Sequence, residues 1–141
     1  MKIYTTDQRI ESKFITNNFG LNKFLLLFRN NGFLRTYPNR FVNSLYYDNL
    51  QFSSIKDNLT GITPRMKFRL RWYGNSIRKS NNYQFEKKIK LNITGYKKIL
   101  KFPKTMDLFS MDYSIAGLQK ITKIYDQNFF PLNYKPQLLC L

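Results

Sequence analysis

Residues 65–72 read Arg-Met-Lys-Phe-Arg-Leu-Arg-Trp, with a cation at every odd position and an apolar side chain at every even one. Strict alternation is the period of a β-strand, whose successive side chains leave opposite faces of the sheet. Arg65, Lys67, Arg69 and Arg71 therefore line one face, and Met66, Phe68, Leu70 and Trp72 line the other. The apolar face requires a core to cover it. The basic face has two readings: a solvated outer surface, or a cationic wall aimed at a polyanion. Its charges recur roughly every 7 Å, so each adjacent repulsion is about 0.6 kcal/mol in water and about 2.4 kcal/mol at an effective dielectric of 20. On an open surface the stripe costs little. In a concavity it needs carboxylates or a bound anion to offset it.

The same periodicity predicts further strands over Ile3 to Phe14, Arg40 to Asp48, Tyr83 to Leu91, Tyr96 to Phe102 and Pro136 to Leu141, with a hairpin turn around Asn92 to Gly95. Three helices fit between them. Leu21, Phe24, Leu25 and Phe28 keep i, i+3, i+4, i+7 spacing, Phe52, Ile55 and Leu59 do so more briefly before Gly61, and Ile115, Leu118, Ile121 and Tyr125 mark a third. The expected class is α+β with mostly antiparallel strands and helices packed outside them. With 141 residues, 13 Phe and 10 Tyr, the chain has material for a single domain with one core.

The formal charge is +16, and 13 of the 24 cationic residues fall between Arg65 and Lys104. Such a balance calls for an anionic partner. The absence of histidine excludes Ser-His-Asp catalysis and imidazole metal sites, and the single cysteine, Cys140, excludes a disulfide framework or a Cys-rich zinc site. The longest apolar run, Phe24 to Phe28, is too short for a transmembrane segment, so the expectation is a cytoplasmic protein.

Carboxylates are scarce, and only two are glutamates. Glu11 lies in Arg9-Ile10-Glu11-Ser12-Lys13 and Glu86 in Glu86-Lys87-Lys88-Ile89-Lys90, each two residues before a lysine on a predicted strand. In that spacing a carboxylate either holds a neighbouring cation in place or ligates Mg²⁺ or Mn²⁺, while the lysines grip phosphate oxygens. An exposed salt-bridge ladder would give the same pattern with little energetic consequence. Two such pairs beside a four-member basic stripe favour a phosphate-lined concavity.

Longer stretches are more specific than the charges. Tyr37-Pro38-Asn39-Arg40-Phe41-Val42-Asn43-Ser44-Leu45-Tyr46-Tyr47-Asp48, then Lys67-Phe68-Arg69-Leu70-Arg71-Trp72-Tyr73-Gly74, resemble in order the motifs of VTC domains. These are polyphosphate polymerase-type domains of the triphosphate tunnel group. The resemblance implies an antiparallel β-tunnel lined with Arg and Lys. Lys13, Arg69, Arg71, Lys88, Lys90 and Lys98 would bind phosphate, Glu11 and Glu86 would hold Mn²⁺ or Mg²⁺, and no side chain would act as a covalent catalyst. It also implies transfer of the γ-phosphate of ATP to a polyphosphate chain. Arg9 stands where the wider group has a first glutamate. About six strands are expected here, an incomplete barrel, and the family's later basic strands would lie beyond Leu141. The chain is therefore expected to be the N-terminal part of such a domain and a poor polymerase by itself. Two other functions stay open: a basic nucleic-acid-binding module, for which Phe68, Trp72, Tyr73 and Tyr83 would supply stacking rings, and a triphosphate hydrolase on the same tunnel fold.

Overall fold

The computed structural model describes residues 3–5, 9–10, 14–75, 79–80, 83–102, 106–107 and 110–140. Nine strands and three helices follow in the order β1 (Ile3–Thr5), β2 (Arg9–Ile10), α1 (Asn18–Asn30), β3 (Val42–Asp48), α2 (Ser53–Thr60), β4 (Arg65–Tyr73), β5 (Lys79–Ser80), β6 (Gln84–Leu91), β7 (Thr94–Lys101), β8 (Met106–Asp107), α3 (Ile115–Thr122) and β9 (Lys135–Cys140). The α+β class and the antiparallel sheet agree with the sequence reading.

Five long strands carry the sheet in the order β7-β6-β4-β3-β9, every pairing antiparallel. The short strands β1 and β2 both pair along the free side of β7, where one longer strand is expected from the sequence, and β5 pairs with β8 in a separate ribbon. Among the described residues the sheet is not closed into a barrel. Its hairpin β6–β7 turns on two residues, Asn92 and Ile93, because Leu91 pairs with Thr94. Asn92 takes a positive φ of 51°, which asparagine tolerates better than most side chains. Gly95, expected in the turn, lies within β7 instead. A Cβ there would come within 3.3 Å of the Ile89 carbonyl oxygen, so the strand accepts only the smallest residue without adjustment.

The alternation of β4 sorts its side chains as its sequence demands. Phe68, Leu70 and Trp72 are buried, whereas Arg65, Arg69 and Arg71 are only partly covered. The buried face is joined by Tyr47 of β3, Phe85 of β6 and Leu100 of β7, and is capped by Ile115 and Leu118 of α3 with Phe129 and Phe130 behind them. Phe85 lies at the centre, its ring centroid 5.3 Å from Tyr47, 5.7 Å from Phe129 and 5.0 Å from Phe130. Offset and edge-on contacts of this kind add to the burial of the rings themselves.

Each helix begins on a cap. Asn17 Oδ1 accepts from Gly20 N in α1, and Ser114 Oγ accepts from Gly117 N in α3. For α2 the cap comes from the end of β3, where buried Asp48 accepts from Ser54 N at 3.0 Å and Ile55 N at 2.9 Å, placing a carboxylate at the positive end of the helix. Gly61 ends α2 with φ of 77°. Helix α1 differs from the other two. It contributes no buried residue, and its Phe24 and Phe28 pack with Phe14 and Phe33 in an aromatic cluster of their own. None of the helices among the described residues is long and apolar enough to cross a membrane.

Truncating the ring at the centre of the core tests this arrangement. Phe85→Ala should lower stability by about 3–5 kcal/mol, as large-to-small core changes do. Urea unfolding should show a lower midpoint at an unchanged slope. A loss under about 1 kcal/mol would mean that Phe85 is not the centre of the core.

Candidate anion-binding face

Register decides which charges meet on the face opposite the core. Arg69 pairs with Glu86 and with Tyr46, Arg71 with Gln84 and Ser44, Lys67 with Lys88, and Arg65 with Lys90. On the next strand Lys88 pairs with Lys97. All these side chains share one face. Arg65, Lys67, Arg69, Lys88 and Lys90, with Tyr46 and Asn58, surround a cavity of about 430 Å³. Four of the sequence-predicted residues are thereby on the cationic face: Arg69, Arg71, Lys88 and Lys90, with Arg71 farther along β4 from the cavity.

The sequence choice of Lys98 needs correction in placement. Lys98 pairs with Lys87 and shares its side of the sheet, away from the cationic face. Lys97 takes its place. Alternation along β7 sets this face whether the turn has two residues or the four expected, and the two-residue turn at Asn92-Ile93 places Lys97 opposite Lys88, beside Glu86. Lys87 runs along the core side, its Nζ 5.4 Å from the centre of the Phe68 ring and 2.6 Å from the Asn128 carbonyl oxygen. Burial, together with the like charge of Lys98, pushes the Lys87 pKa down. Lys13 and Glu11 lie outside the described residues.

Glu86 is the only carboxylate on β4, β6 and β7, and it is fully buried. Its Oε2 accepts from Arg69 Nε at 2.7 Å and lies 2.6 Å from a second Arg69 nitrogen, a two-pronged pairing. Arg71 stands 3.8 Å from the same oxygen. Oε1 accepts from Lys97 Nζ at 3.2 Å and Gln84 Nε2 at 3.0 Å. Burial by itself would raise the Glu86 pKa, but the charges of Arg69, Arg71 and Lys97 and the Arg69 hydrogen bond outweigh it and hold the carboxyl below its ordinary value. Beyond this carboxylate, Arg69 reaches the Tyr46 hydroxyl at 3.4 Å, and Arg65 donates to the Gly61 and Ile62 carbonyls at 3.0 and 3.1 Å. The Arg71 Nε is buried without a hydrogen-bond partner among the described residues.

The VTC domain matches residues 6–135, most of the chain. The chain belongs to the VTC domain family. No curated protein and no solved structure matches it. The family's motifs acquire local explanations in this VTC domain. Val42-Asn43-Ser44 pairs residue for residue with Arg71-Trp72-Tyr73, and Asn43 Nδ2 donates to the Gly74 carbonyl at 2.9 Å, so two segments of the pattern clasp each other. Asp48, which closes the first motif, caps α2.

The Mn²⁺ or Mg²⁺ implied by the family resemblance does not fit Glu86. Both carboxylate oxygens are engaged by nitrogen donors, and a dication there would stand beside Arg69, Arg71 and Lys97. Glu86 instead acts on its neighbours: it fixes the Arg69 fork and compensates the charges around it.

Removing that charge should therefore weaken the fold. Glu86→Gln should cost about 3 kcal/mol, the lower end of the range for breaking a buried ion pair, since its partners keep some access to water. The pH dependence carries a definite sign. A carboxyl whose folded pKa is lowered from 4.5 stabilises the fold above that pH, and the contribution disappears as the pH falls through the folded value. The stability gap between wild type and Glu86→Gln should thus be full at neutral pH and shrink in acid. A gap that stays constant or widens on acidification would contradict the role of Glu86 as a charged brace.

Proposed function

We propose that the cationic face binds the triphosphate of ATP and an inorganic polyphosphate chain, and that it serves a polyphosphate polymerase-type transfer of the ATP γ-phosphate to that chain. The observation that carries this reading is the convergence of Arg65, Lys67, Arg69, Lys88 and Lys90 on one concave cavity. Phosphoryl transfer asks mainly for in-line positioning and for neutralisation of charge on the non-bridging oxygens, both of which fixed cations supply. Guanidinium groups bind phosphate with two parallel N–H donors, and lysines add mobile point charges. Arg69 is already oriented by Glu86, so the face presents its charge without first ordering that side chain. A covalent nucleophile is not needed, in keeping with a site that has neither histidine nor cysteine among its lining residues.

Nucleic-acid binding receives less support. Phe68, Trp72 and Tyr83 are buried in the core and have no ring face to offer a base. Of the aromatic residues considered for stacking, Tyr73 alone stands on the cationic side, with its hydroxyl 3.4 Å from Gln84 Nε2.

Calorimetric titration at about 150 mM salt should show tighter binding of tripolyphosphate or ATP than of duplex DNA. Generic binding to a nucleic-acid backbone falls steeply with salt, whereas a compact polyanion in a concave site retains more of its affinity. Lys88→Gln should weaken tripolyphosphate about tenfold, the loss of one charge-assisted contact. DNA binding that equals or exceeds tripolyphosphate binding, and that vanishes as salt rises, would overturn the proposal.

A further inference from the structure

Beyond the cavity, the cationic face continues to the other end of β4. There the Arg40 guanidinium lies over the rings of both Tyr73 and Tyr37. The Arg40 guanidinium carbon is 4.1 Å from the Tyr37 ring centre and 4.2 Å from that of Tyr73. Cation–π contact with two rings restrains the guanidinium without an acceptor taking up its N–H groups. Arg40 is exposed, and its side chain makes no hydrogen bond or ion pair among the described residues.

The segment that carries Arg40 is braced. Arg35 Nε donates to the Tyr37 carbonyl at 2.8 Å, and a terminal nitrogen of Arg35 donates to Asn39 Oδ1. Gly74 N donates to the Phe41 carbonyl at 3.2 Å, tying the residue after Arg40 to the end of β4. A continuous polar path joins this platform to the cavity. Gln84 Nε2 lies within reach of both the Tyr73 hydroxyl and Glu86 Oε1, and Glu86 holds Arg69. Arg71, with its unpartnered Nε, stands between. From Arg65 to Tyr73 is eight residues of extended strand, about 27 Å. One triphosphate seated in the cavity leaves the far end of this track uncovered.

We infer that Arg40, lying over Tyr37 and Tyr73, is a distal phosphate site that binds an inorganic polyphosphate chain past Arg71 and makes the domain prefer long chains to a triphosphate. The inference rests on the reading of the cavity as phosphate-binding. It assigns the platform to a linear anion rather than to a nucleobase, because each tyrosine already gives a ring face to Arg40.

Arginine footprinting of the wild-type protein tests it without altering the fold. The chain is treated with phenylglyoxal, alone or with tripolyphosphate, ATP or long-chain polyphosphate at concentrations that saturate the cavity, and modification is read by mass spectrometry. Long-chain polyphosphate should slow modification of both Arg65 and Arg40 about tenfold, the scale of one charge-assisted contact, while tripolyphosphate and ATP protect Arg65 only. Protection of Arg65 by every ligand with Arg40 always reactive would overturn the distal site and leave the proposed function standing. No protection of Arg65 by any of them would overturn the proposed function itself. Protection of Arg40 by ATP but not by tripolyphosphate would overturn the inference in favour of a nucleoside on the tyrosines. As an independent arm, Arg40→Gln should weaken long-chain polyphosphate about tenfold in calorimetry and leave tripolyphosphate unchanged. Equal affinities for wild type and a folded Arg40→Gln variant would overturn it. Should that variant fail to fold, the wild-type footprint alone decides.

Discussion

One buried carboxylate makes the cationic face possible. Strands β4, β6 and β7 place Arg69, Arg71, Lys88 and Lys97 around Glu86 at the centre of the sheet, and on those strands no other carboxylate is present. Like charges at strand spacing repel, and more so where a concave surface reduces the solvent around them. Glu86 offsets that repulsion locally, and the cost of its own burial is outweighed by three cations and a two-pronged hydrogen bond. The compensation is incomplete by design of the count: one negative charge among several positive ones leaves a net cationic field, which is what an anionic ligand meets. A face with as many carboxylates as cations would be more stable and would attract nothing.

The features of the fold that depend on period alone were legible in the sequence. The boundaries of β4 follow from eight alternating residues, and the three helices follow from apolar spacing and from end signals such as Gly61. What depended on register was not. Lys97 and Lys98 are adjacent and chemically equivalent, so composition cannot choose between them. A slip of one residue moves every side chain of a strand to the other face, but turns of two and of four residues both leave Lys97, and not Lys98, on the face of Glu86 and Lys88. The length of the turn decides only how far along β6 Lys97 falls, opposite Lys88 with two residues and opposite Lys90 with four. Arg40 was hidden for a different reason: its partners Tyr37 and Tyr73 come from a loop and from a strand 33 residues away, and cation–π contact leaves no periodic trace.

Charge scarcity pointed correctly to Glu86 as a residue of consequence but left its role open between brace and metal ligand. Hydrogen-bond geometry separates the two. A ligand carboxylate needs a lone pair directed at the ion, whereas Glu86 directs Oε2 at Arg69 and Oε1 at Lys97 and Gln84. The family motifs likewise join elements of the fold. Asn43 ties β3 to the turn after β4, and Asp48 ties β3 to α2. These contacts fix the strand that carries the arginines, so substitutions in them would disturb the cationic face without removing any of its charges.

The four arginines on or beside this face are held by three kinds of partner. Arg65 is bound to carbonyls beyond the end of α2, Arg69 to a carboxylate, Arg71 rests at 3.8 Å from that carboxylate, and Arg40 lies over two tyrosine rings. A free arginine side chain carries about 2 kcal/mol of rotamer entropy, which a ligand must otherwise overcome for each guanidinium it orders. Here folding has already restricted part of that freedom, and in each case the restraint comes from a group that leaves other N–H donors of the guanidinium available. Preorganisation of this kind raises affinity without added contacts. It also explains why the chain places arginine, rather than lysine, at the central positions of β4: only a planar, permanently charged group can be fixed on one edge by the protein and still present another edge to phosphate.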